Sequence, residues 1–393
     1  MVEPRRAHRI STRHRDGATV TPLELFFDLV FVLAITQCSS LMESGHGWRT
    51  VGQGVLVLGV LWWSWVGYAW LTSVVDPDDG LVRVVMFVAM AAMLVVALCV
   101  PEAFDNRGLG LTLAGAYAVV RSAHIGLFMI ASTDDPRLRR SVISLGCGAT
   151  VGVALVAVAA LCDGWVQGAL WLTALAIDMA VPFLFGSDGW HLEPHHFAER
   201  HGLIVLIALG ESIVALGAGT TIGLTAGVVA AAVLGVALAA AMWWTYFDVG
   251  SLRAAQALEN EPPGQVQNEM ARDAYSLLHF PVVAGVVLVA LGLEHVLAHV
   301  AEPLDDVSSV VLAGGVALFL LGQVAFKYRL SHLFSYHRIV VAACYLAAIP
   351  LFRVVDAWAA LTIAAVVAWA LVGYEVRHYA DVRAAVRGRD ASS

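Results

Sequence analysis

The chain has 393 residues, of which 59% are hydrophobic and only 14% charged, with a net charge of −8. Counting glycine, the apolar share reaches about 68%, where soluble domains run at roughly 45–50% with about 25% charged residues. With a mean hydropathy of +0.77, this composition excludes an ordinary soluble enzyme, a disordered protein and a nucleic-acid binder. It leaves a multi-span membrane protein.

The chain starts with a basic stretch, residues 1–20, holding Arg5, Arg6, Arg9, Arg13 and Arg15. The apolar run behind it contains Glu24 and Asp28 and is long enough to span, so it reads as a first membrane helix and not as a cleaved signal. A span needs about 20 mostly apolar residues. Twelve such stretches follow in order: 21–42, 51–75, 82–101, 109–131, 141–162, 165–186, 200–218, 223–249, 274–300, 307–327, 337–352 and 356–376. The span 337–352 is the shortest. No segment alternates apolar and polar residues as a membrane barrel does. The five cysteines lie in or beside apolar stretches with no C-x-x-C pair. They read as packing residues and not as a disulfide framework or zinc site.

Basic residues give the expected orientation. With the N-terminus in the cytoplasm, 19 fall on inner segments and only Arg49, Arg107 and Arg353 on outer ones, while Arg121 lies within a span. The expected organisation is a cytoplasmic tail 1–20, a six-helix half 21–186, a cytoplasmic loop 187–199, a second half 200–378 and a cytoplasmic tail 379–393. The localisation that follows is the cell membrane, with both termini inside.

Matched motifs point to an internal repeat. V-F-V-L-A-I-T (30–36) matches V-L-I-A-L-G-E (205–211), and Trp62-Trp63-Ser64-Trp65 matches Trp243-Trp244-Thr245-Tyr246. Val96-Ala97-Leu98 matches Val289-Ala290-Leu291, and L-A-G-A-Y-A (113–118) matches L-A-G-G-V-A (312–317). The order is kept throughout. Halves of six spans share one orientation, so their pseudo-twofold axis would run along the membrane normal, an arrangement that recurs in transporters and channels with the pathway between the halves.

Ionisable groups inside a span cost about 2.5–3.5 kcal/mol each on insertion scales and usually face the protein interior. Glu24 and Asp28 are i and i+4 on one face of the first span. Thr21-Pro22 reads as an N-cap with proline at the first helical position, which makes Glu24 the third residue of a capping box. Arg121 and His124 are near the centre of the fourth span, Asp178 lies in the sixth, and Glu211 with Ser212 in the seventh. Asp248 closes the eighth, His279 and Glu294-His295 lie in the ninth, and Gln323 in the tenth. Arg121 is expected to pair with Asp178 or Glu211, either as a packing lock or as part of an ion or proton site.

The segment 187–201, with His191, His195, His196 and His201, reads as a solvated loop, with a metal or pH role as the weaker options. Trp62-Trp63 and Trp243-Trp244 fit interfacial anchoring or packing. Pro182, Pro281 and Pro350 fall within spans. G-A-G-T-T-I-G (217–223) lacks the P-loop lysine and a preceding strand, so it reads as a turn. No cofactor or metal is expected.

Two segments, T-P-L-E-L-F-F-D-L-V-F-V-L-A-I-T-Q (21–37) and E-R-H-G-L-I-V-L-I-A-L-G-E-S-I-V (199–214), resemble the bacterial low temperature requirement A (LtrA) family. W-W-T-Y-F-D (243–248) and H-F-P (279–281) support the resemblance, which runs from about 20 to 380. It implies a multi-pass inner-membrane protein named for a growth phenotype in the cold, with no agreed activity. Its motif positions fall on Glu24, Phe27, Asp28, Glu199, Arg200, Gly202, Gly210, Glu211 and Ser212. The family often has an aromatic residue where this chain has His201. A shorter stretch, E-L-F-F-D-L-V-F-V-L-A-I-T, looks like the first helix of a potassium channel family with an F-S-D motif. Here Phe26-Phe27 stand where that pattern has Phe-Ser, and Ile35 would fall at a pore constriction.

The expected protein is therefore all-α, with about twelve spans in two six-helix halves. It is expected to move an ion or small solute along intramembrane carboxylates, as transporter or channel. The alternative is a membrane sensor or scaffold supporting growth in the cold. No serine–histidine or HExxH arrangement points to an enzyme. Its partners would be the bilayer and its cargo, not nucleic acid, with a homo-oligomer left open.

Overall fold

A computed structural model describes residues 19–45, 47–184, 189–218, 225–381 and 384. Most of both expected tails and most of the 217–223 turn lie outside the described residues.

The described residues are helical, with one isolated β-bridge, Pro303 to Asp356. In chain order the helices are α1 Pro22–Ser44, α2 Trp48–Val74, α3 Gly80–Cys99, α4 Arg107–Ala131, α5 Pro136–Ala159, α6 Gly164–Leu184 and α7 Pro194–Ala218. Then come α8 Ala226–Phe247, the short α9 Gly250–Glu259 and α10 Gln265–Met270. A π-helical stretch, Ala271–Leu277, leads into α11 His279–Ala298, followed by α12 Asp306–Ser331, α13 Tyr336–Phe352 and α14 Ala357–His378. Among the described residues, eleven helical segments are long and apolar enough to cross a membrane, and α13 is a twelfth, shorter apolar helix. Each expected span corresponds to one helix.

Short polar residues set the starts. Thr21 and Glu24 form the reciprocal capping box, with Thr21 N–H donating to Glu24 Oε2 at 2.9 Å and Glu24 N–H to Thr21 Oγ1 at 3.4 Å. Asp79, Asn106, Asp135, Thr225 and Asp305 cap α3, α4, α5, α8 and α12 through their side chains. Each satisfies backbone donors that a helix start leaves unpaired.

Besides an apolar core, the chain buries ionisable groups and exposes large apolar ones. Arg121, Asp178, Arg200, Glu24 and His279 are enclosed, while Leu98, Leu172, Val233 and Val366 are more than half exposed. Apolar side chains belong outside when lipid is the surrounding medium.

The chain divides into two compact units. The first comprises α1 as far as Gln37, α2 from Gly59, α3 to α6, the start of α7 to Phe197, and Pro263–Asn268. Asn268 Nδ2 donates to Trp190 O at 2.8 Å, which ties that last segment into it. The second comprises Cys38–Leu58, the rest of α7, α8, α9 and the chain from Glu269 onward. Its tightest packing joins α11 to α12 through glycines. A Cβ on Gly285 would lie 2.7 Å from Gly315 O, and one on Gly315 would lie 2.9 Å from Gly285 O. Small residues let membrane helices approach at this distance.

Pro194 opens α7 instead of ending a loop, so the expected solvated loop is shorter than 187–201. His195 is exposed, but His196, Arg200 and His201 are buried. Proline fits the first helical position, where its missing N–H costs nothing. Trp62 and Trp63 are also buried, which makes them packing residues and not interfacial anchors. Pro182 and Pro350 lie inside α6 and α13, and Pro281 in the first turn of α11.

Candidate functional site

The α1 motif sorts by helical period. Glu24, Phe27, Asp28 and Phe31 are buried, and Leu25, Phe26 and Leu29 are exposed. Spacings of three and four residues bring the buried set onto one stripe. Both carboxylates therefore enter the interior of the first unit.

Glu24 does two things there. Oε2 closes the capping box, and Oε1 lies 2.9 Å from His196 Nε2 in the first turn of α7. Asp28, one turn deeper, accepts a hydrogen bond from Trp65 Nε1 of α2 at 2.8 Å. Phe27, on the same stripe, packs against Tyr68, with ring centroids 4.6 Å apart. Tyr68 in turn donates to Val120 O at 3.0 Å and lies against the His124 ring at 5.3 Å.

Arg121 and Asp178 meet across α4 and α6 at 2.7 Å, both enclosed. Tyr117, one turn before Arg121, donates to the other Asp178 oxygen at 3.4 Å. Of the two partners expected for Arg121, the one it meets is Asp178. His124 Nε2 lies 2.9 Å from Gly67 O, which makes that nitrogen the protonated one, because a carbonyl only accepts. Gly67 also makes room for the ring, since a Cβ there would lie 2.8 Å from His124 Cε1. Arg121 Nε and His124 Nδ1 are buried without a hydrogen-bond partner. Such groups are commonly met by ordered water.

The remaining family-motif residues belong to the second unit. Arg200, Glu211 and Ser212 are buried on α7, with Glu199, Gly202 and Gly210 partly so. Cys38 and Glu294 both lie within electrostatic reach of Glu211, and Glu43 lies within hydrogen-bonding reach of Glu294. His279 sits in an aromatic cage. Tyr246 Oη is 2.7 Å from its Nε2, Tyr275 stacks parallel on it at 5.3 Å, and Phe326 meets it edge-on at 4.3 Å. His201 packs against the same ring at 5.4 Å. Asp248 caps the C-terminus of α8.

Sequence reasoning missed three partners of this network. Trp65 lies in the W-W-S-W string but one turn beyond its first tryptophan, and that offset could have placed it on an inner face. Tyr68 follows at i+3 from Trp65 on the same stripe. His196 escapes sequence reasoning because hydropathy starts the span at 200, whereas α7 starts at Pro194.

Buried ionisable residues inside an apolar, multi-helix scaffold define a polytopic membrane protein. Comparison with known families sharpens this. The family model described as Bacterial low temperature requirement A protein (LtrA) matches residues 19–373. The chain belongs to that family. It is 28% identical over 344 residues to an uncharacterized protein of Rhizobium meliloti (strain 1021), covering 84% of this chain and 83% of that one. No solved structure matches the chain.

Proposed function

We propose that the protein moves an ion or small solute across the cell membrane, along the polar interior of its first unit. The observation that carries this reading is the column Glu24, Asp28, His124, Arg121 and Asp178. All five are buried within helices that cross the membrane. Each such group costs several kcal/mol to insert, and intramembrane ionisable residues commonly mark ion or proton routes.

The column also offers titratable and hydrogen-bonding atoms at successive turns. Asp28 is four residues beyond Glu24, about 6 Å at 1.5 Å per residue. Trp65 and Tyr68 follow from α2, and His124 and Arg121 from α4. His124 Nδ1 is an acceptor and Arg121 Nε a donor, both buried and unused by protein. The excess of arginine on alternate loops supports termini in the cytoplasm.

Flux in proteoliposomes tests the reading, with potassium, sodium and proton gradients imposed separately. Wild type should carry flux under at least one gradient, and folded Asp28→Asn should lose most of it. Absence of flux under all three would favour the sensor or scaffold reading, and full flux in Asp28→Asn would remove Asp28 from the route.

A further inference from the structure

The second unit contains a cavity that the transport reading leaves unused. It lies among the C-terminal ends of α8, α12 and α14, the start of α13, and the short helix α9. Its volume is about 410 Å³, within the roughly 300–1,000 Å³ of small-ligand pockets. Trp244, Phe326, Leu330 and Leu333 give it an apolar wall.

The polar side of the cavity is built in two layers. The inner layer is spent on itself. Arg338 donates to Glu375 Oε1 at 2.7 Å, to Glu375 Oε2 at 2.9 Å, to Thr245 O at 3.0 Å, and to Gln323 Oε1. His337 Nε2 lies 2.7 Å from Glu375 Oε1. Arg338 and Glu375 thus cancel, and the Gln323 amide is oriented by the bond to its oxygen.

The outer layer is left with donors. Gln323 is only 4% exposed, lines the cavity, and its Nε2 has no hydrogen-bond partner. Lys327, one turn further along α12, gives one hydrogen bond to Ser335 Oγ at 2.8 Å, which leaves two of the three ammonium donors. Arg253 reaches the rim from α9. The N-terminal end of α13, with the positive end of its dipole, faces the same space through Ser335 and His337. Against Arg253, Lys327 and Arg338 stand two carboxylates, Asp248 and Glu375, so the wall is net positive. Lys327 is also the chain's one lysine among its basic residues. Lysine binds phosphate as a compact point charge, where arginine prefers planar two-pronged partners.

We propose that this cavity binds a phosphate group, either the head of an anionic phospholipid or a free phosphate, through Lys327, Arg253 and the Gln323 amide. The cavity sits at helix ends, the level at which lipid phosphates lie, and its apolar wall would take the glycerol and first methylenes of a lipid. A free phosphate would use the donors alone.

The test uses the full chain purified in a maltoside detergent. Inorganic phosphate and dioctanoyl phosphatidylglycerol are titrated separately by calorimetry, on wild type, Lys327→Gln, Arg253→Gln and Arg377→Gln. Arg377 is exposed in the last turn of α14 and does not line the cavity. One probe or both should bind wild type and Arg377→Gln saturably, with about tenfold or greater weakening in the other two variants, the usual weight of a charge-assisted hydrogen bond. Binding of inorganic phosphate, with or without the lipid, assigns a free phosphate site, and binding of the lipid alone assigns a lipid site. A second readout needs no variant. Lys327 acetylation by an amine-reactive reagent, followed by mass spectrometry, should slow several-fold when the binding probe is present. No saturable binding of either probe to wild type, equal binding in all variants, or unprotected Lys327 overturns the proposal. Loss of ion flux would leave it standing, because the cavity shares no residue with the column in the first unit.

Discussion

His196 Nε2 and Glu24 Oε1 lie 2.9 Å apart, 172 residues distant in sequence and both sealed from solvent. One carboxylate thereby closes the capping box of α1 and fastens the first turn of α7. Glu24→Ala should destabilise the protein by about 2–4 kcal/mol, from a lost cap of ~1 kcal/mol and a buried imidazole left without its partner. Glu24→Gln retains an acceptor and should lose less than half as much. Thermal unfolding of the purified variants by tryptophan fluorescence measures both. Equal losses in the two variants would mean that charge, and not hydrogen bonding, holds the turn.

Asp178 and Arg121 form an enclosed pair at 2.7 Å. Removing one partner strands the other charge, so Asp178→Ala should cost about 3–5 kcal/mol, while Arg121→Leu with Asp178→Leu should cost less than either single change. A double-mutant cycle on unfolding midpoints gives the coupling. Additive losses would show that the two residues do not act as a pair.

Gly67 and His124 share one space. Alanine at 67 brings a Cβ to 2.8 Å from the ring, so Gly67→Ala should displace His124 and cost about 1–3 kcal/mol by overpacking. Combining it with His124→Ala should recover part of that loss. A Gly67→Ala protein as stable as wild type would show that the ring position is adjustable.

Gly285 and Gly315 set the approach of α11 to α12, and Gly314 next to them has only Val310 Cγ1, at 3.6 Å, near a built Cβ. Gly285→Ala should lower the unfolding temperature clearly more than Gly314→Ala does. Equal effects would point to helix propensity instead of contact, since propensity favours alanine at both sites.

Asp305 lies in the connection before α12, outside the spans. Burial alone would raise its pKa, but hydrogen bonds from Ser308, at 2.6 Å for the backbone donor, outweigh it and hold the carboxyl below its ordinary value of 3.8. A depressed folded-state pKa means that its stabilisation is present above the unfolded value and is lost as pH falls through the folded one. Wild type should therefore be more stable than Asp305→Ala at pH 7, with the gap closing below about pH 4. A gap that stays constant down to pH 3 would remove the charged cap as its cause.

Periodicity and composition determine the helices here, because lipid requires every spanning segment to satisfy its own backbone and so leaves a run of apolar residues one structure to adopt. Hence each expected span is a helix, the capping box at Thr21 and Glu24 is legible from four residues, and even the short α13 is found. The start of α7 lies at Pro194 and not at 200: the four polar or charged residues His195, His196, Glu199 and Arg200 hide the first turn from a hydropathy reading, and only neighbours decide that it is buried.

Partner choice was out of reach for a different reason. The sequence names Arg121, Asp178 and Glu211 as intramembrane charges and gives depth along each helix, but depth leaves rotation and neighbour open. Tertiary packing decided that Arg121 meets Asp178, that Asp28 meets Trp65, and that Glu24 meets His196. It also decided that Gln323, Lys327 and Arg253, spread over 75 positions of chain, line one cavity. Burial of apolar surface acts locally along each helix and is written in every span, whereas a hydrogen bond across helices exists only once the helices have docked.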